Sequence, residues 1–224
     1  MLPWTLLDTT KIPGDPGEMR LHQRGNEYSI RVDNYELMNS REHGSEDALA
    51  SLVCERLRDR KQMRVLIGGL GMGFTLLAVL EGVGRDAEVV VAELVPAVVA
   101  WHRGPLRVVS RGALDDPRVV VRESDVGQLI REHRAAYDAI LLDVDNGPRA
   151  LTAKGNDRLY STNGLRATHE ALRPGGMLAI WSAGPDPSFT KRLQQAGFTV
   201  EEKRVSSRGS KGAKYLIWLA TRPG

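Results

Sequence analysis

The sequence predicts an α/β protein: a seven-stranded, mostly parallel sheet that ends in an antiparallel hairpin and follows a small N-terminal antiparallel β-unit. Three observations predict it. From residue 62 onward apolar runs alternate with helical stretches, the rhythm of parallel strands joined by right-handed crossovers. The last third breaks that rhythm, because Phe198 to Val205 and Lys214 to Ala220 are strand-like runs joined by the hairpin connection Ser206 to Gly212. The first forty or so residues show turn clusters and period-two alternation instead. The expected division is residues 1–42 for the β-unit and 43–224 for the α/β domain.

Within the front unit, Pro13-Gly14-Asp15-Pro16-Gly17 is a turn cluster, Tyr28 to Val32 alternates as a half-exposed strand, and Asp33-Asn34 turns into Tyr35 to Met38. Ser45 is expected to cap a helix running through Arg58, with Glu46 and Asp47 in its acidic first turn and Ala48, Leu49, Leu52, Val53 and Leu57 on one face. Strands are expected at 63–67, 88–93, 118–122, 138–143 and 176–181. Helices are expected at 74–81, 96–103, 125–133, 163–172 and 187–196. Arg173 to Gly176 reads as a helix stop and tight turn feeding the last of these strands.

The chemistry is expected beyond the carboxyl ends of the strands, where open α/β sheets bind ligands. The first such strand runs into Gly68-Gly69-Leu70-Gly71-Met72-Gly73, a turn whose glycines leave bare backbone for a ligand to lie against. The second ends at Glu93, where a carboxylate can accept from both hydroxyls of a ribose. The third is followed by Ser124 and Asp125; Asp125 caps the next helix and is placed to meet an adenine amino group. The fourth ends at Asp143, a carboxylate at the mouth of a polar loop that carries Asp145, Asn146 and Tyr160. Together these residues describe a pocket for an adenosine-containing cofactor. The spacing lacks the third glycine of a dinucleotide fingerprint, and no Gly-Lys-Ser/Thr follows to make a phosphate loop.

Composition narrows the partners. The chain has 224 residues, 42% hydrophobic and 26% charged, with a formal net charge of +3. Its late basic residues read as a solvated hairpin rather than a nucleic-acid surface, because aromatic interleaving is lacking. The single cysteine, Cys54, allows no internal disulfide and no cysteine cluster, and the histidines show no metal spacing. No metal is expected. No basic segment leads into an apolar stretch at the N-terminus and no apolar run is long enough for a bilayer, so a cytoplasmic protein without membrane partners is expected.

From about Tyr28 to Ala220 the chain resembles the spermidine synthase (aminopropyltransferase) family within the class I S-adenosylmethionine-dependent, Rossmann-like transferase fold. The resemblance rests on the front β-unit, the glycine turn, Glu93, Asp125, Asp143 before a gate loop, Leu159-Tyr160-Ser161, Leu172 to Gly176 and the final hairpin. It implies a transferase for polyamine biosynthesis that moves the aminopropyl group of decarboxylated S-adenosylmethionine to an amine acceptor such as putrescine. Asp143 would hold and deprotonate the amine. Gly68, Gly69, Gly71, Gly73, Glu93, Ser124 and Asp125 would hold the nucleoside. Glu46, Asp145, Asn146 and Tyr160 would bind the acceptor. By resemblance the front unit would serve a homodimer.

The chain departs from the family in three places, one of them the front helix, which has Ser45-Glu46 where the family has an aromatic-containing pattern. Gly71 stands where the family's glycine turn has an aspartate that contacts the aminopropyl ammonium, and Val144-Asp145-Asn146 replaces the usual gate-loop pattern. Two other readings therefore stay open. One is a methyltransferase of the same fold using S-adenosylmethionine, whose Gly-x-Gly-x-Gly turn the chain satisfies. The other is an inactive nucleoside-binding or interaction protein.

Overall fold

The structure, a computed structural model, describes residues 2–144, 158–207 and 212–224. Two sheets organise it. The front sheet has four antiparallel strands in the order β1 (Thr5–Lys11), β2 (Glu18–Arg24), β3 (Glu27–Val32), β4 (Tyr35–Asn39). The second has seven strands in the order β10-β11-β9-β8-β5-β6-β7. Its parallel members are β5 (Arg64–Gly68), β6 (Glu88–Glu93), β7 (Val119–Glu123), β8 (Tyr137–Leu142) and β9 (Leu172–Ser182). The hairpin of β10 (Thr199–Ser206) and β11 (Lys214–Thr221) adds antiparallel against β9, as expected from its connection.

Strand order reverses between β5 and β8. From β5 the chain builds outward through β6 and β7, then returns to place β8 on the other side of β5. A crevice opens at such a reversal because the flanking connections leave toward opposite faces. The first residues past β5 and β8 here are Gly69 and Asp143. The amide of Asp143 donates to the Gly68 carbonyl at 3.1 Å, so the glycine turn and this carboxylate are stitched together at the crevice.

The helices divide by face. Alternating strand residues such as Val65, Ile67, Ala139 and Leu141 belong to a core shared with α1 (Gly44–Arg56), α2 (Phe74–Gly82), α3 (Pro96–Arg103) and the inner side of the front sheet, through Leu21, Tyr28 and Ile30. Leu66, Ile140, Leu142 and Ile180 point the other way. Their layer holds α4 (Val126–Glu132), α5 (Thr162–Ala171) and α6 (Pro187–Gln195). Helix starts follow local chemistry. Pro96 and Pro187 open α3 and α6, where a missing N–H costs nothing. Asp125 accepts from the Gln128 amide at 2.7 Å and Ser161 from the Gly164 amide at 3.1 Å.

Several expectations need correction. Ser45 does not cap α1: the cap position is His43, which makes no side-chain cap bond, and the helix ends at Arg56 with Leu57 as its C-cap. Gly44 takes over that start because its amide donates to the Ser207 carbonyl at 3.2 Å. A Cβ at 44 would lie 2.7 Å from that oxygen. Leu172 to Gly176 is part of β9, since Leu172 already pairs with Tyr137 across the ladder. The front unit has two more strands than the alternation revealed.

At the amino ends of the strands, opposite the crevice, buried Asp138 gathers three donors. Its carboxylate accepts from Arg60 Nη1 at 2.6 Å, Arg173 Nη1 at 2.7 Å and the Arg64 amide at 2.9 Å. This clamp ties β5, β8 and β9 to the chain leaving α1. A carboxylate is tolerated in such a buried position only when paired in this way.

Candidate active site

The glycine turn is built by conformations that other residues resist. Gly69, Gly71 and Gly73 have φ of 87°, 50° and 83°. A side chain at each would also collide with a neighbour: at 69 with the Asp143 carbonyl, at 71 with the Met38 thioether, at 73 with the His102 ring. The bare main chain required for close approach of a ligand is therefore dictated on both counts.

Glu93 sits beneath this turn. Its Oε2 accepts from the Leu70 amide at 2.8 Å and its Oε1 from the Val95 amide at 2.8 Å. Burial pushes its carboxyl above the usual range, against the main-chain N–H groups that pull it down. The amides of Leu94 and Gly71 also bear on this carboxylate, so main-chain donors claim about as many acceptor sites as its two oxygens offer. Glu93 thus braces the turn from beneath. The next residue, Leu94, is 42% exposed on the same sheet edge. One strand further, the buried hydroxyl of Ser124 makes no hydrogen bond among the described residues, and Asp125 beside it is exposed.

Across the crevice, Asp143 Oδ2 accepts from Thr75 Oγ1 at 2.7 Å. Burial raises its carboxyl and the Thr75 hydroxyl lowers it; the direction is upward. The second acid is Glu46, in the first turn of α1. Burial, and then the negative charge of Asp143, push its carboxyl up to about 7, against a bond from Ser45 Oγ to its Oε2 of 2.5 Å. Two acids so placed cannot both ionise cheaply, and a cation placed between them relieves both.

Beyond Glu46 lies an aromatic pair. Trp181 and Tyr215 have ring centroids 4.8 Å apart. Burial, then Glu42 and Glu46, raise the Tyr215 hydroxyl above its ordinary value. Register puts Trp181 level with Asp143, one step past the paired Ile180 and Leu142, on the face that carries α1. Carboxylates next to aromatic faces suit an organic cation.

The structure therefore brings together the glycine turn, Glu93, Ser124 and Asp125 along one stretch of sheet edge, and Asp143 with Glu46 at the crevice. Tyr160 lies elsewhere: its ring is buried edge-to-face on Phe189, 5.6 Å between centroids, in the layer behind the sheet. Asp145 and Asn146 lie outside the described residues. Sequence reading did not find Thr75, Trp181, Tyr215, Met38 or His102. No group of His, Cys, Asp or Glu that could hold a metal occurs among the described residues, and no helix among them is long and apolar enough to cross a membrane.

The acid pair makes a proton-linked prediction. Because the folded carboxyl of Glu46 lies above its ordinary 4.5, the ligand-free protein should lose stability as pH rises from 4.5 through about 7. A bound ammonium reverses this by drawing the proton out. Titration of putrescine at pH 6.5 is expected to release up to about one proton, read as a calorimetric enthalpy that changes with the ionisation enthalpy of the buffer. Glu46→Gln should abolish that dependence; a buffer-independent enthalpy in the parent protein would refute the coupling.

Comparison with known proteins places the fold and the family. The fold is that of the S-adenosylmethionine-dependent transferases. Spermidine synthase from Thermotoga maritima superposes with a TM-score of 0.78 at 18% identity, covering 97% of this chain and 72% of that one. A precorrin-6y C5,15-methyltransferase from Geobacter metallireducens superposes at 0.56 and 13% identity, over 77% of this chain and 87% of that one. Within that class the chain is spermidine synthase-like, a homologue of the polyamine aminopropyltransferases. It is 31% identical to polyamine aminopropyltransferase 1 of Streptomyces coelicolor over 96% of its own length. It spans 38% of the length of that relative. No family model matches the sequence.

Proposed function

We propose that the chain transfers the aminopropyl group of decarboxylated S-adenosylmethionine to an amine acceptor such as putrescine, as its relatives' names imply. The observation that carries this reading is the acid pair Glu46–Asp143 facing a glycine turn across the strand-order reversal. The nucleoside fits the residues present. The turn at 69, 71 and 73 carries no side chain, Glu93 closes the strand beside it, exposed Leu94 offers the purine an apolar seat, and the Ser124 hydroxyl lacks a partner among the described residues.

When bound, the donor's sulfonium supplies an activated carbon and a neutral thioether leaving group. The chain's own residues need only align the amine and take its proton. Glu46 and Asp143 draw in the protonated amine, and Asp143, oriented by Thr75, accepts a proton to leave a neutral nucleophile. The raised carboxyls make that proton transfer easier than it would be to an exposed carboxylate. Trp181 and Tyr215 face the remainder of the acceptor. A small-molecule amine is thus the partner we assign. We further infer a cytoplasmic homodimer, the compartment in keeping with a single unpaired thiol, Cys54.

A second reading, methyl transfer from S-adenosylmethionine, is favoured by one observation. The space beside Gly71 is filled by the thioether of Met38, with Cε 2.7 Å from where a Cβ would stand. No carboxylate on that residue greets an aminopropyl ammonium. Product analysis separates the two. Incubation with each donor and a panel of amines is expected to yield methylthioadenosine from the decarboxylated compound. S-adenosylhomocysteine, formed from S-adenosylmethionine alone, would overturn the aminopropyl reading in favour of methyl transfer.

A further inference from the structure

His102 does not belong to the crevice, yet it lies directly beneath the glycine turn. It is buried on α3, 1% exposed. Its Nε2 is 2.9 Å from the Gly71 carbonyl oxygen, and its Cε1 occupies the volume that a side chain at 73 would need. A carbonyl can only accept, so Nε2 carries the hydrogen. The other ring nitrogen, Nδ1, is buried with no hydrogen-bond partner among the described residues. Burial lowers the imidazole's pKa, the Gly71 carbonyl alone opposing it, so the ring is held neutral.

The peptide plane supplies the consequence. In a trans peptide the carbonyl and the next N–H point in opposite directions. With the Gly71 oxygen drawn down toward α3, the Met72 N–H is turned away from it. The main-chain bonds of the turn run from the Gly73 amide to the Leu70 carbonyl, and from the Leu70 amide to Glu93. No bond from the Met72 amide accompanies them among the described residues.

We propose that His102 is a positioning residue for ligand binding: through the Gly71 carbonyl it sets the 71–72 peptide so that the Met72 N–H is presented to an acceptor atom of the bound nucleoside. This rests on the nucleoside reading of the crevice. It assigns His102 a role in affinity rather than in the chemical step, and it makes the hydrogen-bonding nitrogen, not the ring's bulk, the part that matters.

Two replacements separate donor from bulk. His102→Gln can return an N–H to the position of Nε2, whereas His102→Leu fills space without one. Calorimetry with methylthioadenosine on the intact chain is expected to show about a tenfold loss for His102→Leu, the scale of one hydrogen bond. His102→Gln should recover most of it, while turnover at saturating donor stays near the parent's for both. Thermal melts of the free proteins report the packing cost separately. Equal affinity losses in the two variants, or none in His102→Leu, would overturn the proposal. Nitrogen-15 spectra of the free protein test its premise without any ligand: a neutral ring protonated on Nε2 is expected, and protonation on Nδ1 instead refutes it. Failure of the parent to bind methylthioadenosine removes the nucleoside reading and, with it, His102's role in affinity; a Nε2–H signal would still report the local bond.

Discussion

Asp143→Asn is expected to lower the rate of methylthioadenosine release by about 10²–10⁴-fold, the usual contribution of a positioned acid–base group. Nucleoside affinity by calorimetry should stay within about twofold of the parent, since the proposed ribose and purine contacts fall at Glu93, Leu94 and Ser124 instead. The substitution is clean for a structural reason. The amide oxygen of asparagine can still accept from Thr75, whose hydroxyl lies 2.7 Å from the carboxylate. The charge is lost and the shape is kept. Because burial already pushes this carboxyl toward its neutral form, melting temperature at pH 7 should not fall. Undiminished turnover would take Asp143 out of the mechanism.

Glu93→Ala acts on the other half of the crevice. It leaves the amides of Leu70 and Val95 without acceptors in a buried position. At about 1–3 kcal/mol for each unsatisfied group, the expected cost is about 2–6 kcal/mol of unfolding free energy. Urea melts would measure it. Nucleoside binding should weaken further still, since the same variant loosens the turn against which the nucleoside is proposed to lie. The discriminating variant is Glu93→Gln, whose one carbonyl oxygen can serve only one of the two amides. An Ala variant that binds adenosyl compounds as well as its parent would sink the nucleoside pocket altogether.

The parts of this molecule that the sequence made legible are those set by neighbours along the chain. Residues 88–93 and 96–103 were read to the residue, because a β-branched run stops at a carboxylate and Pro96 opens the following helix. Asp125 could be read as a cap because the amide it accepts from is three residues on. Strands β1 and β2 were hidden for the opposite reason. Nearly every side chain of Thr5–Lys11 is exposed, so no inward face marks the sequence, and Glu18–Arg24 offers only Met19 and Leu21 among polar residues.

The same distinction divides the crevice. Its glycines and the residues closing β6 and β8 announce themselves by spacing. Thr75, Trp181 and Tyr215 line it from three separate elements, His102 underlies its turn from a fourth, and each looks locally like ordinary interior. His102 even shares the buried stripe of α3 with Val98, Val99 and Trp101. Only topology reveals that this stripe ends under the turn. The misplacement of the α1 cap has a similar origin: Ser45 has the right chemistry, but the hairpin's Ser207 carbonyl, distant in sequence, claims Gly44 and moves the helix start back.

Met38, on β4 of the front sheet, and Gly71, in the turn after β5, share one volume. A larger residue at one demands a smaller residue at the other. Restoring an aspartate at 71 in this chain would therefore need Met38 trimmed in the same step. On the proposed reading, the donor's alkyl arm would be selected by that exchange of bulk across the seam, as much as by any charge.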